Sequence, residues 1–345
     1  MRLIKIILFL SSLGILVPSY ASAQTSCVQN LREARNFYDA GKLNELPKLL
    51  LKCIDNGFTK EEKVEALRLV TLSYLFDEEE EKAEASYLRL LKIEPEYQVN
   101  LESDPTELII LSERYDTKPK FFFGIKGGPA YNILEISPNI PYNNLQRGSY
   151  DPPIGLSGGI FFQYPINEKF SANIESYFNF RNTVLEREIQ NAEGNSAGLQ
   201  ITSETQRWIE VPLLLNYKIP MVKSFLLEAT GGPSFHYLIS SSFGATGVND
   251  EINNKDMLNY RNQLNFSALL GLRGNFKIIG RNFLTVEALY QYKFLEENRA
   301  LTAEERLELI PDLIQAGYAE GKLKGHALIL RIGFRFPRFN PELIK

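Results

Sequence analysis

Cysteine, histidine and tryptophan are scarce in this chain. Its 345 residues contain two cysteines, two histidines and one tryptophan. Cys27 and Cys53 have no cysteine or histidine companions at metal-ligand spacing, which argues against zinc. His236 and His326 fall on separate strand-like segments, and no nucleophile–His–carboxylate set is visible around either. The reading is therefore no catalytic residue, no metal, no cofactor and no enzyme. An excess of one charge is also lacking. With 38 Lys+Arg against 42 Asp+Glu the net charge is -4, which gives no footprint for a nucleic acid.

Long apolar runs are missing too, apart from the N-terminus. There "MRLIKIILFLSSLGILVPSYASA" has a basic start at Arg2 and Lys5, an apolar run from Ile6 to Val17, and Ala21-Ser22-Ala23. That pattern is a secretory signal peptide over 1–23, cleaved after Ala23. The run is too short for a spanning helix, which needs about 20 apolar residues. "AQTSC" lacks the apolar residue of a lipoprotein box, so Cys27 is not a lipidation site. With no later spanning helix, the mature chain can enter a bilayer only as a closed barrel, because in lipid every backbone polar group must be satisfied internally.

What is present falls into two textures. Residues 24–119 carry helical spacing. "KVEALRLVTLSYL" sets Val64, Leu67, Val70 or Thr71, and Tyr74 on one stripe. "EEEEKAEASYLRLLKIEP" continues with Ala83, Tyr87, Leu90 and Leu91, with the acidic run Asp77–Glu81 where a helix dipole favours carboxylates. The spacing Tyr74, Ala83, Tyr87, Pro95 resembles the tetratricopeptide pattern. Phe37, Gly41, Leu46, Leu50 and Cys53 make a looser upstream copy. "DPTELIILSERY" then reads as a closing helix, with Asp104 as cap and Pro105 at its first position. Helical pairs of this kind bind proteins, so a periplasmic or envelope protein partner is expected through 24–119. Cys27 and Cys53 would lie on two antiparallel helices. An oxidising compartment allows a disulfide, with two buried free thiols as the alternative.

After "YDTKP" alternation replaces the helical period. Eight strand-like segments follow at about 120–134, 153–164, 168–181, 204–219, 223–237, 261–277, 282–295 and 322–336. Each is long enough for a membrane strand of about 9–11 residues. In "WIEVPLLLNYKI" (208–219) one parity is wholly apolar: Ile209, Val211, Leu213, Leu215, Tyr217. Pro212 cannot donate to a ladder, so a bulge or a break in pairing is expected there. The connections alternate in length. About 135–152, 182–203, 238–260 and 296–321 are long, while "PINEK", "IPMVK" and "KIIGR" are short. Outer-membrane barrels are built this way, with long extracellular loops and tight periplasmic turns. Within the last long loop, 303–318 has helical spacing. Aromatic residues gather near strand ends, among them Phe121, Phe122, Phe123, Phe161, Phe162, Tyr164, Tyr290, Tyr292 and Phe334, as an interfacial girdle requires.

The fold class is therefore α+β with two domains. A helical-hairpin, tetratricopeptide-like domain (24–119) precedes an eight-stranded antiparallel transmembrane β-barrel (120–338), and a tail (339–345) closes the chain. The expected place is the outer membrane, in contact with its lipid, with the helical domain in the periplasm. Eight strands enclose a lumen just wide enough for side chains. The charges assigned to it are Lys126, Glu175, Arg181, Glu210, Glu228, Arg273, Glu287, Lys293, Arg331 and Arg335. Their mixed signs allow pairing, which makes a plug rather than a channel.

The stretches "IEVPLLLNY" (209–217), "FGIKGGPAYN" (123–132), "EATGGPSFHY" (228–237) and "LRIGFRF" (330–336) resemble the PorT-like outer-membrane barrel family. The resemblance covers about 120–336. It implies an eight-stranded outer-membrane barrel, and some members are tied to type IX secretion and gliding. It brings no catalytic residues. The N-terminal "CIDNGFTKEEKVEALRLVTLSYLF", "IEPEY" and "DPTEL" look like a helical module fused to such barrels. Three roles compete: an anchor or scaffold in envelope or secretion machinery, a surface structural or adhesive barrel acting through its loops, and a small-solute channel.

Overall fold

A computed structural model describes residues 20–138, 149–151, 154–190, 195–220, 225–248, 251–278, 280–305, 307–308 and 321–344. The candidate signal peptide falls outside these residues as far as residue 19. The chain divides into two compact units, Met1–Lys118 with Phe339–Lys345, and Pro119–Arg338.

The first unit holds helices α1 (Tyr20–Asp39), α2 (Leu46–Asp55), α3 (Lys60–Phe76), α4 (Glu80–Ile93) and α5 (Thr106–Glu113). Gly41, at φ 72°, turns the chain between α1 and α2, a conformation that favours glycine. Thr59 and Glu62 form a reciprocal capping box that starts α3. The stripe on α3 is wider than its spacing suggests. Ala66, Leu67, Leu69, Val70, Thr71, Leu72 and Ser73 are all buried, because α1, α2, α4 and α5 pack around this helix. Ala83, Tyr87, Leu90 and Leu91 of α4 complete the core with Leu108 and Leu111 of α5. Cys27 and Cys53 are bonded, with Cα atoms 5.6 Å apart, tying α1 to α2. Gly57 lies against that bond: a Cβ there would stand 2.6 Å from the Cys27 Sγ.

Two expectations for this unit need correction. Asp104 does not cap α5; Pro105 holds the N-cap position. The Asp104 carboxylate is taken by Arg68, whose Nε donates at 3.1 Å, and by the Asn100 amide at 2.7 Å. Residues 339–345 are not a separate tail either. Strand β12 (Glu342–Leu343) pairs antiparallel with β1 (Tyr115–Asp116), and the Ile344 amide donates to the Arg114 carbonyl at 2.7 Å.

The second unit is an antiparallel sheet. Its long strands are β2 (Pro119–Pro138), β4 (Ile154–Pro165), β5 (Phe170–Gln190), β6 (Ser196–Ile219), β7 (Leu226–Gly247), β9 (Leu264–Lys277), β10 (Phe283–Lys293) and β11 (Gly321–Phe339). Short strands β3 (Ser149–Asp151) and β8 (Ile252–Asp256) pair with β5 and β7. The order runs β5-β4-β2-β11-β10-β9-β7-β6, and β6 pairs again with β5. Each long strand therefore has a neighbour on both sides. Tight turns follow from local chemistry. Asn167 Oδ1 accepts from the Lys169 and Phe170 amides, and Gly280 supplies φ 70°.

Burial alternates along most of the strands, with the charged side chains on the buried face and most large apolar ones exposed, while Leu214, Leu269, Leu289, Ala327 and Ile329 form a small apolar cluster among the buried groups. In β6 Trp208, Glu210, Leu214 and Asn216 are buried, while Ile209, Leu213, Leu215 and Tyr217 are exposed. At Pro212 the β5–β6 ladder is interrupted without changing register: Ile174 faces Leu213, and pairing resumes with Tyr177 facing Glu210. No bulge forms there. The register shift in β6 lies at Arg207/Trp208, opposite β7.

The stretches read as long loops at 182–203 and 238–260 are largely strand. β5 and β6 stay paired from Phe170↔Tyr217 to Gln190↔Ser196, and β7 runs on to Gly247. Polar residues occupy both faces in this part, which hides strand behind a loop-like composition. Leu185, Phe243, Ala245, Met257 and Leu301 form a second small apolar core among these extensions. Of the segment 303–318, residues 303–305 and 307–308 are helical, started by a Thr302–Glu305 capping pair. Residues 306 and 309–318 lie outside the described residues, as do 139–148 of the loop expected at 135–152.

Candidate functional site

The buried face of the sheet is the chemically distinctive place in the molecule. Parity puts its charges on one side, and register then brings them together. Glu228 on β7 faces Arg273 on β9, Arg273 faces Glu287 on β10, and Glu287 faces Arg331 on β11. This row alternates in sign across four strands, so each direct cross-strand pair is attractive.

The row curls into a network with the opposite strands. Lys126 of β2 donates to Glu175 of β5 at 2.8 Å and to Glu287 at 2.9 Å. The Arg273 guanidinium donates to Glu287 at 2.5 Å and to Glu175 at 2.9 Å. Tyr177 donates its hydroxyl to Glu175 at 2.7 Å, and the Arg331 guanidinium stacks 3.6 Å over the Tyr177 ring. Arg335 lies 3.7 Å from Glu228 and 3.7 Å over Phe122. Phe122 and Phe161 are thus not girdle residues. Phe161 is buried, with the Lys126 ammonium 4.8 Å from its ring centroid, because both share parity with the buried charges.

A second cluster lies toward the extended strands. Glu297 accepts from Arg181 Nη1 at 2.9 Å, again from Arg181 Nη2, and from Lys293 at 2.8 Å. Glu204 accepts from Arg261 at 2.6 and 2.8 Å and from Ser241 at 2.6 Å. Gln206 accepts from Arg181 and, at 3.0 Å, from the Trp208 indole. Between the clusters Glu210 accepts from Asn179 at 2.6 Å, Gln291 at 3.0 Å, Ser234 at 3.2 Å and Arg331 at 3.3 Å. A cavity of about 40 Å³ opens beside it, lined among others by Arg181, Trp208, Glu210, His236, Lys293 and Arg331.

All ten charges assigned to the lumen from sequence are buried on this face. Among the described residues, three further buried charges, Glu204, Arg261 and Glu297, lie beyond the ten assigned from sequence. Glu204 has the parity of Glu210, and that signal alone would have found it. Arg261 precedes β9 but lies in the segment read as 261–277 with the parity of Arg273, whereas Glu297 lies beyond β10 and its segment and carries no alternation signal; the isolated bridge Arg261↔Asn298 joins their neighbourhoods. The histidines lie on separate strands, β7 and β11, as their segments predict. His236 Nε2 stands 2.8 Å from Ser267 Oγ, a serine that register supplies from β9. Glu210, the cross-strand neighbour of His236, has its oxygens committed to other donors. His326 is half-buried beside Tyr290, with ring centroids 5.8 Å apart. Among the described residues no group of three His, Cys, Asp or Glu side chains could hold a metal ion.

Several solved structures resemble the chain. OprG of Pseudomonas aeruginosa is 12% identical, with a TM-score of 0.31, over 66% of this chain and 98% of its own. Ail, the attachment invasion locus protein of Yersinia pestis, is 14% identical with a TM-score of 0.30, over 63% and 99%. A major outer membrane protein of Thermus thermophilus is 11% identical with a TM-score of 0.35, over 63% and 99%. No curated protein matches. A family model described as outer membrane protein beta-barrel domain matches residues 112–302, more than half of the chain. An antiparallel sheet with charge inside, aliphatic side chains outside and this family match have one meaning: the chain belongs to the family of outer-membrane β-barrel domain proteins.

Proposed function

We propose that this protein is an eight-stranded outer-membrane barrel that anchors a periplasmic helical adaptor, which docks another protein of the cell envelope. The observation that carries the reading is the separateness of the helical unit, a compact body with its own apolar core and its own disulfide. A disulfide suits an oxidising compartment outside the cytoplasm. The return of β6 onto β5 supports closure of the sheet into a ring. Its interior is largely filled by side chains in ion-pair and hydrogen-bond networks, which favours an anchor over an open channel. The signal peptide, the tetratricopeptide-like helix pairs and the PorT-like stretches belong to the same reading, and the last of these suggests type IX secretion machinery as the setting. The short turns lie on the side from which the chain enters its first long strand, which supports a periplasmic position for the helical unit.

Crosslinking in intact envelopes, followed by purification of the full chain, tests this reading. The same envelope protein should be captured by the full chain and lost when residues 24–113 are deleted. Capture of no partner, or of the same partner without that segment, overturns it. Heat-modifiable gel mobility of the purified chain tests the barrel separately.

A second reading has its own support. The extensions of β5, β6 and β7 with β8 carry a small apolar core, so that end is a folded surface able to meet a ligand outside the cell. Deleting 183–202 while keeping the barrel would abolish surface attachment under this reading and leave envelope capture intact.

A further inference from the structure

We propose that the cavity beside Glu210 is a binding site for one small monovalent anion, between a halide and a short carboxylate in size. The proposal goes beyond the anchor reading and holds whichever partner the helical unit takes.

Charge is the first argument. Arg181, Lys293 and Arg331 line the cavity, and Glu210 is the carboxylate among them. Glu297 serves both Arg181 and Lys293, so three cations share two carboxylates. Arg331 also comes within 3.9 Å of Glu175, but Lys126 and Arg273 already hold that group at 2.8 and 2.9 Å. Across the whole buried face, among the described residues, seven cations meet six carboxylates, leaving His236 aside. A buried charge without a partner is strongly unfavourable. One anion would balance this count.

Unmet donors are the second argument. Arg181 Nε and Arg331 Nη1 have no hydrogen-bond acceptor, and both residues are at least nine-tenths buried. A guanidinium N–H left without an acceptor costs more than a neutral one. Water could accept from these groups but would leave the charge unbalanced. Size is the third argument. About 40 Å³ is room for a few waters, which is enough for chloride or formate.

The test uses the full chain in detergent at fixed ionic strength, with gluconate as the reference anion. Unfolding is followed by the emission of Trp208, the single tryptophan. Adding chloride or formate should raise the thermal midpoint saturably, as site binding to the native state requires. The two anions, tested in turn, separate a halide site from a carboxylate site. Lys293→Met removes the surplus cation and should abolish the response. Should that variant fail to fold, crystals of the unaltered chain grown in bromide give an independent reading: an anomalous peak beside Arg181 Nε or Arg331 Nη1. Equal midpoints in all three anions and no bromide peak would mean that water alone fills the cavity. A response that survives in Lys293→Met would place the anion elsewhere. Either result overturns the proposal.

Discussion

In the helical unit Leu67, Val70, Leu90 and Leu108 are shut away, while the Arg35–Glu65 and Arg89–Asp55 pairs lie in the open. In the sheet the arrangement is inverted. Arg273 and Glu287 are buried, and Leu270 and Ile160 are 69% and 63% exposed. The same kinds of side chain have been sorted by two solvents. Water rewards the first arrangement through the hydrophobic effect. Hydrocarbon removes that driving force from the outer face of the sheet, and the polar groups must find one another inside. "Core" in this chain therefore means whatever its surroundings reject.

Removing one buried ion should separate the two units most clearly. Arg273→Met leaves Glu287, Glu175 and Glu228 short of a cation, and losing one partner of a buried pair costs about 3–5 kcal/mol. Urea unfolding of the purified chain, read by Trp208 emission, should show that loss, whereas 222-nm helicity should melt where it did before. Equal loss in both signals would mean that the two units unfold together. A lysine on the outer face comes next. Leu270→Lys, near the middle of β9, should cost roughly 2–4 kcal/mol in a bilayer, the range for a cation on a lipid face. The matching change Ile110→Lys, at an exposed site on α5, should fall within about 0.5 kcal/mol of zero. Similar costs at both sites would contradict the two-solvent account.

The disulfide probes the helical unit alone. Cys27 and Cys53 are 26 residues apart, and removing both as serines should cost that unit about 2–4 kcal/mol. Helicity should then melt earlier while Trp208 emission keeps its midpoint. A shift in the tryptophan signal would show coupling between the units.

Parity makes much of this legible in the sequence. Period-2 alternation assigns Glu175, Glu210 and Glu287 to one face without knowledge of which strands meet. Register is a different matter. That Glu228, Arg273, Glu287 and Arg331 form one row depends on turn geometry several residues away, and nothing local encodes it. Strand ends are hard to read for a related reason. Beyond the apolar band both faces turn polar, so "NTVLEREIQ" at 182–190 reads as loop although it stays paired along β5. Asp104 shows the same limit in the helical unit. Its position is a good cap by local rules, and Arg68, distant in sequence, claims it. Phe122 and Phe161 look like girdle residues by type, yet parity places Phe122 with Lys126 on β2 and Phe161 with Ser157 and Gln163 on β4.

The smallest expected effect concerns protons. Burial pushes the titration of Tyr87, Tyr97 and Tyr115 above the ordinary phenol range, and their rings cluster edge to face at 5.5–6.4 Å around α4 and β1. Each phenol keeps its proton in the folded unit at a pH where the unfolded chain, titrating near about 10, has begun to lose it. The unfolded state then binds fewer protons, so stability is level below that pH and falls above it. Urea midpoints of the helical signal should therefore be flat from neutral pH to about 9 and decline beyond about 10. Tyr87→Phe removes one of the three titrating groups and should make the decline shallower. An unchanged slope in that variant would mean that the alkaline loss arises elsewhere, and the tyrosine cluster would then be apolar packing without a proton linkage.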